Sequence, residues 1–310
     1  MKKISIMLPT YNEEENIRPL CQEIKKVFSE KLASYEYEII IIDNFSADKT
    51  RAAVESLCAE DKRIKAIFNA KNFGHIRSPY YGLLQSSGDC VIAMCADFQD
   101  PPEMIENFVK EWEKGHKIVI GIKKKSKENP LMYMFRSAYY RLIKRIADVD
   151  HISHFTGFGL YDRQFIKVLS ELGDPMPYLR GIVAELGFER KEIEYEQQKR
   201  RFGKTKNNFF SLYDMAMLGI TSYTKVVMRL ATLAGFAIAG VSFLIALLYL
   251  VLKLVFWDRF PMGTAPIIIS IFFLGSVQLF FIGFLGEYIL NINTRVMKRP
   301  LVVEERRINF

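Results

Sequence analysis

The sequence predicts an α/β domain with a Rossmann-like mixed sheet covered by helices on both faces, followed by a membrane anchor. Apolar runs of strand length alternate with helical stretches in the N-terminal part of the chain, which is typical of this class. Almost every charged residue lies before Arg229 or after Gly286. The stretch between them contains two long uncharged runs joined by a short segment rich in proline and glycine.

Five strands are predicted from apolar runs, at Lys3–Leu8, Tyr37–Ile42, Ile64–Asn69, Cys90–Ala96 and Lys117–Ile122. The run of isoleucines in the second is typical of a parallel strand covered on both faces. The acidic residues 13–15 suit the positive end of a helix dipole, so a helix is expected to begin there. Ligands of such sheets bind beyond the carboxyl ends of the strands, where Pro9, Asp43, Asn72 and Asp97 fall.

Two transmembrane helices are predicted at about 230–252 and 267–288. Each uncharged run reaches the roughly 20 residues needed to cross a ~30 Å hydrocarbon core. Buried helices of a soluble protein are the alternative. Basic residues precede the first run and follow the second, whereas the connection has only Lys253 and Arg259. This charge bias predicts that the N-terminal domain and both termini are cytoplasmic.

The composition excludes several other classes of protein. The net charge of +8 is typical of basic residues beside an anionic membrane leaflet, and no nucleic-acid-reading motif is present. The four cysteines form no CxxC pair and no zinc-ligand spacing, which favours reduced thiols in a cytosolic domain. His151 and His154 have no evident third ligand and are interpreted as exposed loop residues. The N-terminus opens into a strand and carries no signal-peptide pattern.

The predicted organisation is a cytosolic domain at 1–206, a juxtamembrane amphipathic segment at 207–228, the membrane hairpin at 229–290 and a basic cytosolic tail at 291–310. The stretch 131–146 combines aromatic and basic residues, as in helices that lie in the headgroup layer. A helix packed on the core is the alternative there. Small residues in the first span, such as Gly235 and Gly240, suit helix–helix packing and a possible homo-oligomer.

The order of the strand-end motifs resembles the family two glycosyltransferases of the GT-A fold. The nearest resemblance is to polyprenyl-phosphate glycosyltransferases, the group of dolichol-phosphate mannose synthases and bactoprenol glucosyltransferases. It covers nearly the whole chain, and any single motif in it is weak. The motifs that carry it are Pro9–Ile17, Asp43–Thr50, Asn72–Gly74, Ala96–Pro102, Phe158–Arg163, Arg180–Gly181 and Arg200–Lys206.

The resemblance implies a role for each matching residue. Asp97, Gln99 and Asp100 are the expected catalytic residues, and Asp97 is the expected ligand of Mg²⁺ or Mn²⁺, hard ions that prefer oxygen ligands. The nucleotide-sugar is expected to contact Pro9, Tyr11, Asn12, Glu13, Asp43, Asn72, Arg77 and Asp97. Phosphate groups, including that of a lipid acceptor, are expected to contact Arg200, Gly203, Thr205 and Lys206. A solvated juxtamembrane patch is the alternative for these basic residues.

Three departures from the family pattern bear on activity. Asn44 replaces the second of two acids, with Phe45 where glycine is common. Cys95 replaces the first carboxylate of the metal motif, and Gly157 aligns with a proposed general base. A lipid monophosphate has a second pKa near about 6, so it needs little help from a base.

The implied function is inverting, metal-dependent transfer of a hexose to a polyprenyl phosphate on the cytoplasmic face of a bacterial inner membrane. UDP-glucose is the first expected donor, with UDP-GlcNAc, UDP-galactose and GDP-mannose open. A processive polysaccharide synthase is one alternative, because Gln198–Phe202 nearly matches the signature of those enzymes. A catalytically silent nucleotide-sugar-binding scaffold is the other.

Overall fold

The fold was analysed in a computed structural model. The structure describes residues 1–124, 152, 154–198, 200–201, 264–297 and 299–310, together with isolated positions between 217 and 255. Four predicted regions therefore lie wholly or mostly outside the described residues, namely the amphipathic helix at 131–146, the juxtamembrane segment at 207–228, the first membrane span and the phosphate-contacting residues Gly203, Thr205 and Lys206. They stay predictions.

The described elements alternate strand and helix through most of the N-terminal domain. The strands are β1 Lys3–Thr10, β2 Glu36–Asp43, β3 Ile64–Asn69, β4 Cys90–Ala93, β5 Ile118–Lys123, β6 Phe155–Asp162, β7 Arg190–Tyr195 and β8 Glu304–Ile308. The helices are α1 Ile17–Lys31, α2 Thr50–Glu60, α3 Gly74–Leu84, α4 Met104–Glu113, α5 Arg163–Leu172, α6 Leu179–Glu185 and α7 Thr264–Val296.

The described strands form one mixed sheet in the order β7-β5-β6-β4-β1-β2-β3-β8. Strands β4, β1, β2 and β3 are mutually parallel, whereas β6 and β8 run antiparallel to their neighbours. The central strands are buried on both faces, and two apolar cores flank the sheet. The predicted mixed α/β class is therefore confirmed. The parallel strands end together, which places Thr10, Asp43, Asn69 and Ala93 at one edge.

Two local expectations were wrong. Helix α1 begins at Ile17, so the acidic residues 13–15 precede it and occupy a turn. The reason is that Glu13 makes specific contacts of its own, accepting a hydrogen bond from Asn16 Nδ2 and pairing with Arg200. Strand β4 ends at Ala93, before Cys95, because the chain turns there into a loop closed by the Asp100 side chain.

The C-terminal segment returns to the domain. Strand β8, within the stretch expected to be a basic tail, pairs antiparallel with β3, from Ala66 opposite Ile308 to Asn69 opposite Glu304. Asn309 Nδ2 donates to the carbonyl oxygens of Cys58 and Ile64, at 2.8 Å each. The last residues of the chain therefore complete one edge of the sheet.

Helix α7 covers the second predicted span and extends beyond it at both ends. Within the described residues it is the one helix long and apolar enough to cross a membrane, over Phe273–Val296 with a mean hydropathy of 1.6. Its apolar side chains are exposed, including Leu279 at 71% and Ile289 at 63%. Large exposed apolar surfaces mark sites of contact with membrane or protein.

A buried carboxylate ties β1, β2 and the α3–β4 loop together. Glu38 is 1% exposed, accepts hydrogen bonds from Ser5 Oγ and the Ser87 amide, and pairs with Lys3 and Lys65. Burial alone would raise the pKa of Glu38, but these hydrogen bonds outweigh it and lower the pKa to about 2.

The lowered pKa of Glu38 predicts acid sensitivity. Its contribution, about 3 kcal/mol, is fully present above the unfolded pKa of about 4.5 and is lost as the pH falls toward about 2. We therefore expect the melting temperature to fall across that window and the Glu38→Gln variant to be less stable at neutral pH with a flatter pH profile. Thermal unfolding from about pH 7 to pH 2 measures both, with the exposed Glu15→Gln as the control. A profile that Glu38→Gln leaves unchanged would contradict the expectation.

Candidate active site

A cleft of about 720 Å³ opens at the carboxyl edge of the sheet. It brings together residues from the loops after β1, β2, β3 and β4 with residues after β7, as expected for ligand binding in an α/β sheet. The predicted site residues that line it are Pro9, Tyr11, Glu13, Asn72, Asp97, Gln99, Asp100 and Arg200.

Asp97 and Arg200 face each other in the cleft. Asp97 Oδ2 lies 3.6 Å from Arg200 Nε, and Asp97 Oδ1 accepts a hydrogen bond of 3.1 Å from the Gln99 amide. Arg200 also pairs with Glu13. These groups come from three loops, so the cleft holds a carboxylate and a guanidinium within reach of the same ligand.

Asp100 lies in the same loop as Asp97, and its contacts stabilise the conformation of that loop. It is 3% exposed, and its two carboxylate oxygens accept hydrogen bonds from the Cys95 amide at 2.9 Å and Tyr195 Oη at 3.0 Å. Burial raises the pKa of Asp100, and the two hydrogen bonds oppose that rise. The observed contacts make Asp100 a positioning residue that closes the loop carrying Asp97.

The Asn44 side chain makes four hydrogen bonds that hold the end of β3 and the loop that follows it. Its Nδ2 donates to Asn72 Oδ1 at 2.9 Å and to the Gly74 carbonyl oxygen at 3.2 Å. Its Oδ1 accepts from the Phe73 amide at 2.8 Å and from Asn69 Nδ2 at 3.2 Å. Both ends of the amide are used, which a carboxylate could not reproduce.

Asp43 is fully buried and is not among the residues that line the cleft. Its Oδ2 accepts hydrogen bonds of 3.1 Å from the Ser46 amide and from Arg51 Nε. Its Oδ1 is also buried but accepts no hydrogen bond from any described residue. Arg51 is held in turn by Glu305 of β8, at 2.7 Å. A buried carboxylate oxygen of this kind suits an N–H or O–H donor from a ligand.

Three of the predicted nucleotide-sugar ligands do not line the cleft, namely Asp43, Asn12 and Arg77. Asn12 ties two loops together, because its Oδ1 accepts from the Ala47 amide at 2.8 Å and its own amide donates to Ser46 Oγ at 2.8 Å. Arg77 points to the C-terminal segment, where it donates to the Pro300 carbonyl oxygen.

Sequence reasoning also missed residues that shape the site. Tyr195, which holds Asp100, lies at the end of β7 with no motif around it. Burial lowers the pKa of Lys123 at the end of β5, against the attraction of Asp100. Gly157 lines the cleft with φ of +101°, a backbone conformation that an aspartate would adopt only under strain.

The described residues contain no group of three or more histidine, cysteine or acidic side chains that could hold a metal ion. Three acidic residues line the cleft, and Asp97, with its side chain 14% exposed, is more exposed than Glu13 or Asp100. A hard divalent cation often takes one or two protein carboxylates and completes its coordination with substrate phosphates. The position and exposure of Asp97 are therefore compatible with a cation that is carried mainly by a diphosphate.

Residues 5–187 match the Glycosyl transferase family 2 model, which covers more than half of the chain. The chain belongs to this family and is a glycosyltransferase with a GT-A-like fold. The family predicted from the strand-end motifs is thus confirmed.

Curated relatives match over almost the entire length. The chain is 30% identical over 303 residues to the uncharacterized glycosyltransferase YkcC of Bacillus subtilis, covering 97% of this chain and 93% of that protein. It is 30% identical to a prophage bactoprenol glucosyl transferase homolog of Escherichia coli, covering 98% and 99%. It is 32% identical to the SfII prophage-derived bactoprenol glucosyl transferase of Shigella flexneri, covering 96% of each.

Proposed function

We propose that this enzyme transfers a hexose from a nucleoside-diphosphate sugar to a polyprenyl phosphate at the cytoplasmic face of a bacterial inner membrane. The relatives named bactoprenol glucosyl transferases support a lipid acceptor and make UDP-glucose the first donor to test. The transfer inverts the anomeric centre, because the lipid phosphate oxygen attacks in one step as the nucleoside diphosphate leaves.

The observation that best supports a lipid acceptor is that the apolar helix α7 ends beside the cleft. Arg295 in the last turn of α7 pairs with Asp174 at 3.2 Å, and Asp174 precedes the cleft-lining residues 177–180. Pro300 contacts Arg77 in the first turns of α3, whose residues 74–76 also line the cleft. A lipid held in the membrane around α7 would reach the cleft with its phosphate.

The sheet also supports an even number of membrane crossings. Strands β7 and β8 belong to the same sheet, so residues 195 and 304 lie on the same side of any bilayer. If α7 crosses the membrane, the chain between β7 and α7 must cross it once more. The uncharged run at 230–252 is the segment suited to that crossing. The basic flanks favour the cytoplasm for the catalytic domain.

The residues of the cleft divide the work of transfer. Asp97 would hold Mg²⁺ or Mn²⁺ against the donor diphosphate, and the cation would neutralise charge on the leaving group. Arg200, facing Asp97 at 3.6 Å, offers a guanidinium to phosphate oxygens. Asp43 Oδ1 would accept a hydrogen bond from the nucleoside. No described side chain is required as base, because the acceptor phosphate is largely dianionic near neutral pH.

A donor screen tests this function. Purified full-length protein in lipid nanodiscs with undecaprenyl phosphate would receive labelled UDP-glucose, UDP-GlcNAc, UDP-galactose or GDP-mannose, with and without chelator. We expect a chloroform-soluble lipid carrying one sugar, formed with one donor and suppressed by chelator. A water-insoluble polymer would indicate a processive synthase instead. Donor binding without any product would indicate a silent scaffold, and either outcome would overturn the proposal.

A further inference from the structure

Three basic side chains lie near the C-terminal end of the apolar helix α7. Lys71 Nζ lies 5.2 Å from the centre of the Phe73 ring, and the guanidinium carbon of Arg77 lies 5.5 Å from the same centre. Arg299 follows the end of α7, and the residue after it, Pro300, accepts a hydrogen bond from Arg77. We call Lys71, Arg77 and Arg299 the basic cluster.

The basic cluster has no counter-charge within the described residues, where no carboxylate pairs with any of its three members. A guanidinium has five N–H donors, yet the Pro300 carbonyl oxygen is the acceptor that the described residues offer to Arg77, and its Nε is buried without one. Burial lowers the pKa of Arg77, and the positive charge of Arg299 lowers it further. Two like charges held together in this way favour the binding of an anion.

The cluster lies where α7 would leave a bilayer. The side chains of α7 stay apolar and exposed up to its end, at Val296 and Met297. Strand β8 follows α7 and pairs with β3, so the C-terminal end of α7 lies on the catalytic domain's side of any membrane that the helix crosses. Basic side chains at that level meet the lipid headgroups, and those of the cytoplasmic leaflet include anionic lipids.

The chemistry of the cluster suits a phosphate group. A planar guanidinium matches the oxygens of a phosphate with parallel N–H donors, and the Lys71 ammonium adds a point charge. The phosphodiester of phosphatidylglycerol carries one uncompensated negative charge, whereas the choline group of phosphatidylcholine neutralises its phosphate. An uncompensated phosphate is therefore the better partner for basic groups that lack an acidic one.

We propose that the basic cluster binds the phosphate group of an anionic phospholipid in the cytoplasmic leaflet. This inference rests on the membrane crossing of α7 in the proposed function. Asn72, Gly74 and His75, which lie in the chain between Lys71 and Arg77, line the cleft. The bound lipid thus holds the mouth of the cleft at the membrane surface, where an acceptor lipid carries its own phosphate.

Native mass spectrometry of the detergent-solubilised full-length protein tests the lipid site directly. The probes are phosphatidylglycerol, phosphatidylcholine, undecaprenyl phosphate and inorganic phosphate, and we expect the wild type to retain phosphatidylglycerol in preference to phosphatidylcholine. Arg77→Gln and Arg299→Gln should each weaken phosphatidylglycerol binding about fivefold, the contribution of one basic residue near an anionic membrane surface. Lys26→Gln, at an exposed residue of α1, is the charge-matched control and should bind as the wild type does.

Thermal unfolding with and without lipid separates lost binding from a damaged fold. Phosphatidylglycerol should raise the melting temperature of the wild type and of Lys26→Gln more than that of either cluster variant, because a ligand stabilises the folded state that binds it. Arg299→Gln leaves the contact between Arg77 and Pro300 in place, so it keeps the test valid if Arg77→Gln unfolds.

Four outcomes would overturn the inference. They are equal retention of phosphatidylcholine and phosphatidylglycerol, equal binding by the wild type and both variants, displacement of phosphatidylglycerol by inorganic phosphate, and its displacement by a smaller amount of undecaprenyl phosphate. The third would indicate a site for free phosphate, and the fourth would assign the cluster to the acceptor. If phosphatidylglycerol binds as expected but the donor screen yields no sugar-carrying lipid, the proposed transfer fails while the lipid site stands.

Discussion

Replacing Asp97 by asparagine is expected to reduce glycosyl transfer by about a hundredfold or more while leaving the fold intact. Asparagine has the same shape and keeps an oxygen for the Gln99 amide, 3.1 Å from Asp97 Oδ1. What is lost is the negative charge that faces Arg200 and that a divalent cation would use. Cys95 stands where a second carboxylate is common in the family, and Asp100 of the same loop is 3% exposed and already accepts hydrogen bonds from the Cys95 amide and Tyr195 Oη.

The Asp97→Asn experiment needs a readout of metal binding besides turnover. Titration of Mn²⁺ in the presence of UDP, followed by electron paramagnetic resonance, should show weaker binding in the variant, and the melting temperature should stay near that of the wild type. Glu30→Gln is the matched control, because Glu30 is exposed near the end of α1. The change affects only an exposed ion pair in which Lys26 Nζ lies 4.0 Å from Glu30 Oε1. An unchanged rate in Asp97→Asn would remove Asp97 from the metal site.

The central fold was predictable because its signals are local and strong. Strand β3 was predicted with its observed bounds, and β1, β2 and β5 within two residues at each end. Continuous apolar runs such as Ile39–Ile42 leave few alternatives to a buried strand. Asp97 was expected directly after β4 and instead lies four residues beyond its end at Ala93, but it still lines the cleft at the carboxyl edge of the sheet.

Strand β8 was not predictable from its own residues. Its sequence is Glu-Glu-Arg-Arg-Ile, which has neither an apolar run nor a clear alternation, and it lies at the edge of the sheet. Long-range contacts select it instead. Arg306 pairs with Glu55, and Arg307 donates to Gln85 Oε1 at 2.8 Å, partners more than 200 residues away in the chain. The charged residues of β8, which in the sequence are typical of a solvated tail, form ion pairs and hydrogen bonds with distant parts of the folded chain.

Contacts that cannot be predicted from the sequence also explain why Asn44 suggested an inactive enzyme. Compared with the family pattern it is a missing acid, yet its amide makes four hydrogen bonds that position the loop from Asn72 to Gly74. Two of them are donated by Nδ2 to acceptors, and a sequence alone does not reveal the direction of a hydrogen bond. In this chain the asparagine is therefore the residue that the cleft requires.

Restoring the family acid with Asn44→Asp is expected to destabilise the protein by about 3 kcal/mol. The new carboxylate at position 44 would face two acceptors, Asn72 Oδ1 and the Gly74 carbonyl oxygen, in a site where Asn44 is only 8% exposed. Both acceptors would lose their donor, and a buried charge would be added. The loop that lines the cleft should loosen, so donor affinity should fall together with the melting temperature.

The pH dependence of the stability of Asn44→Asp distinguishes two causes of destabilisation. One is repulsion between the new carboxylate and the two acceptor oxygens, and the other is a general loss of packing. Burial among acceptors should raise the pKa of the new carboxyl group, and its protonated form can donate one hydrogen bond. The stability difference from the wild type should therefore shrink as the pH falls from about 7 to about 5. Asn107→Asp, on the exposed face of α4 near its N-terminus, is the matched control and should cost little. If Asn44→Asp is as stable as the wild type at neutral pH, the hydrogen bonds of the Asn44 side chain do not stabilise the loop from Asn72 to Gly74. An asparagine at position 44 would then have no special structural role compared with the family acid.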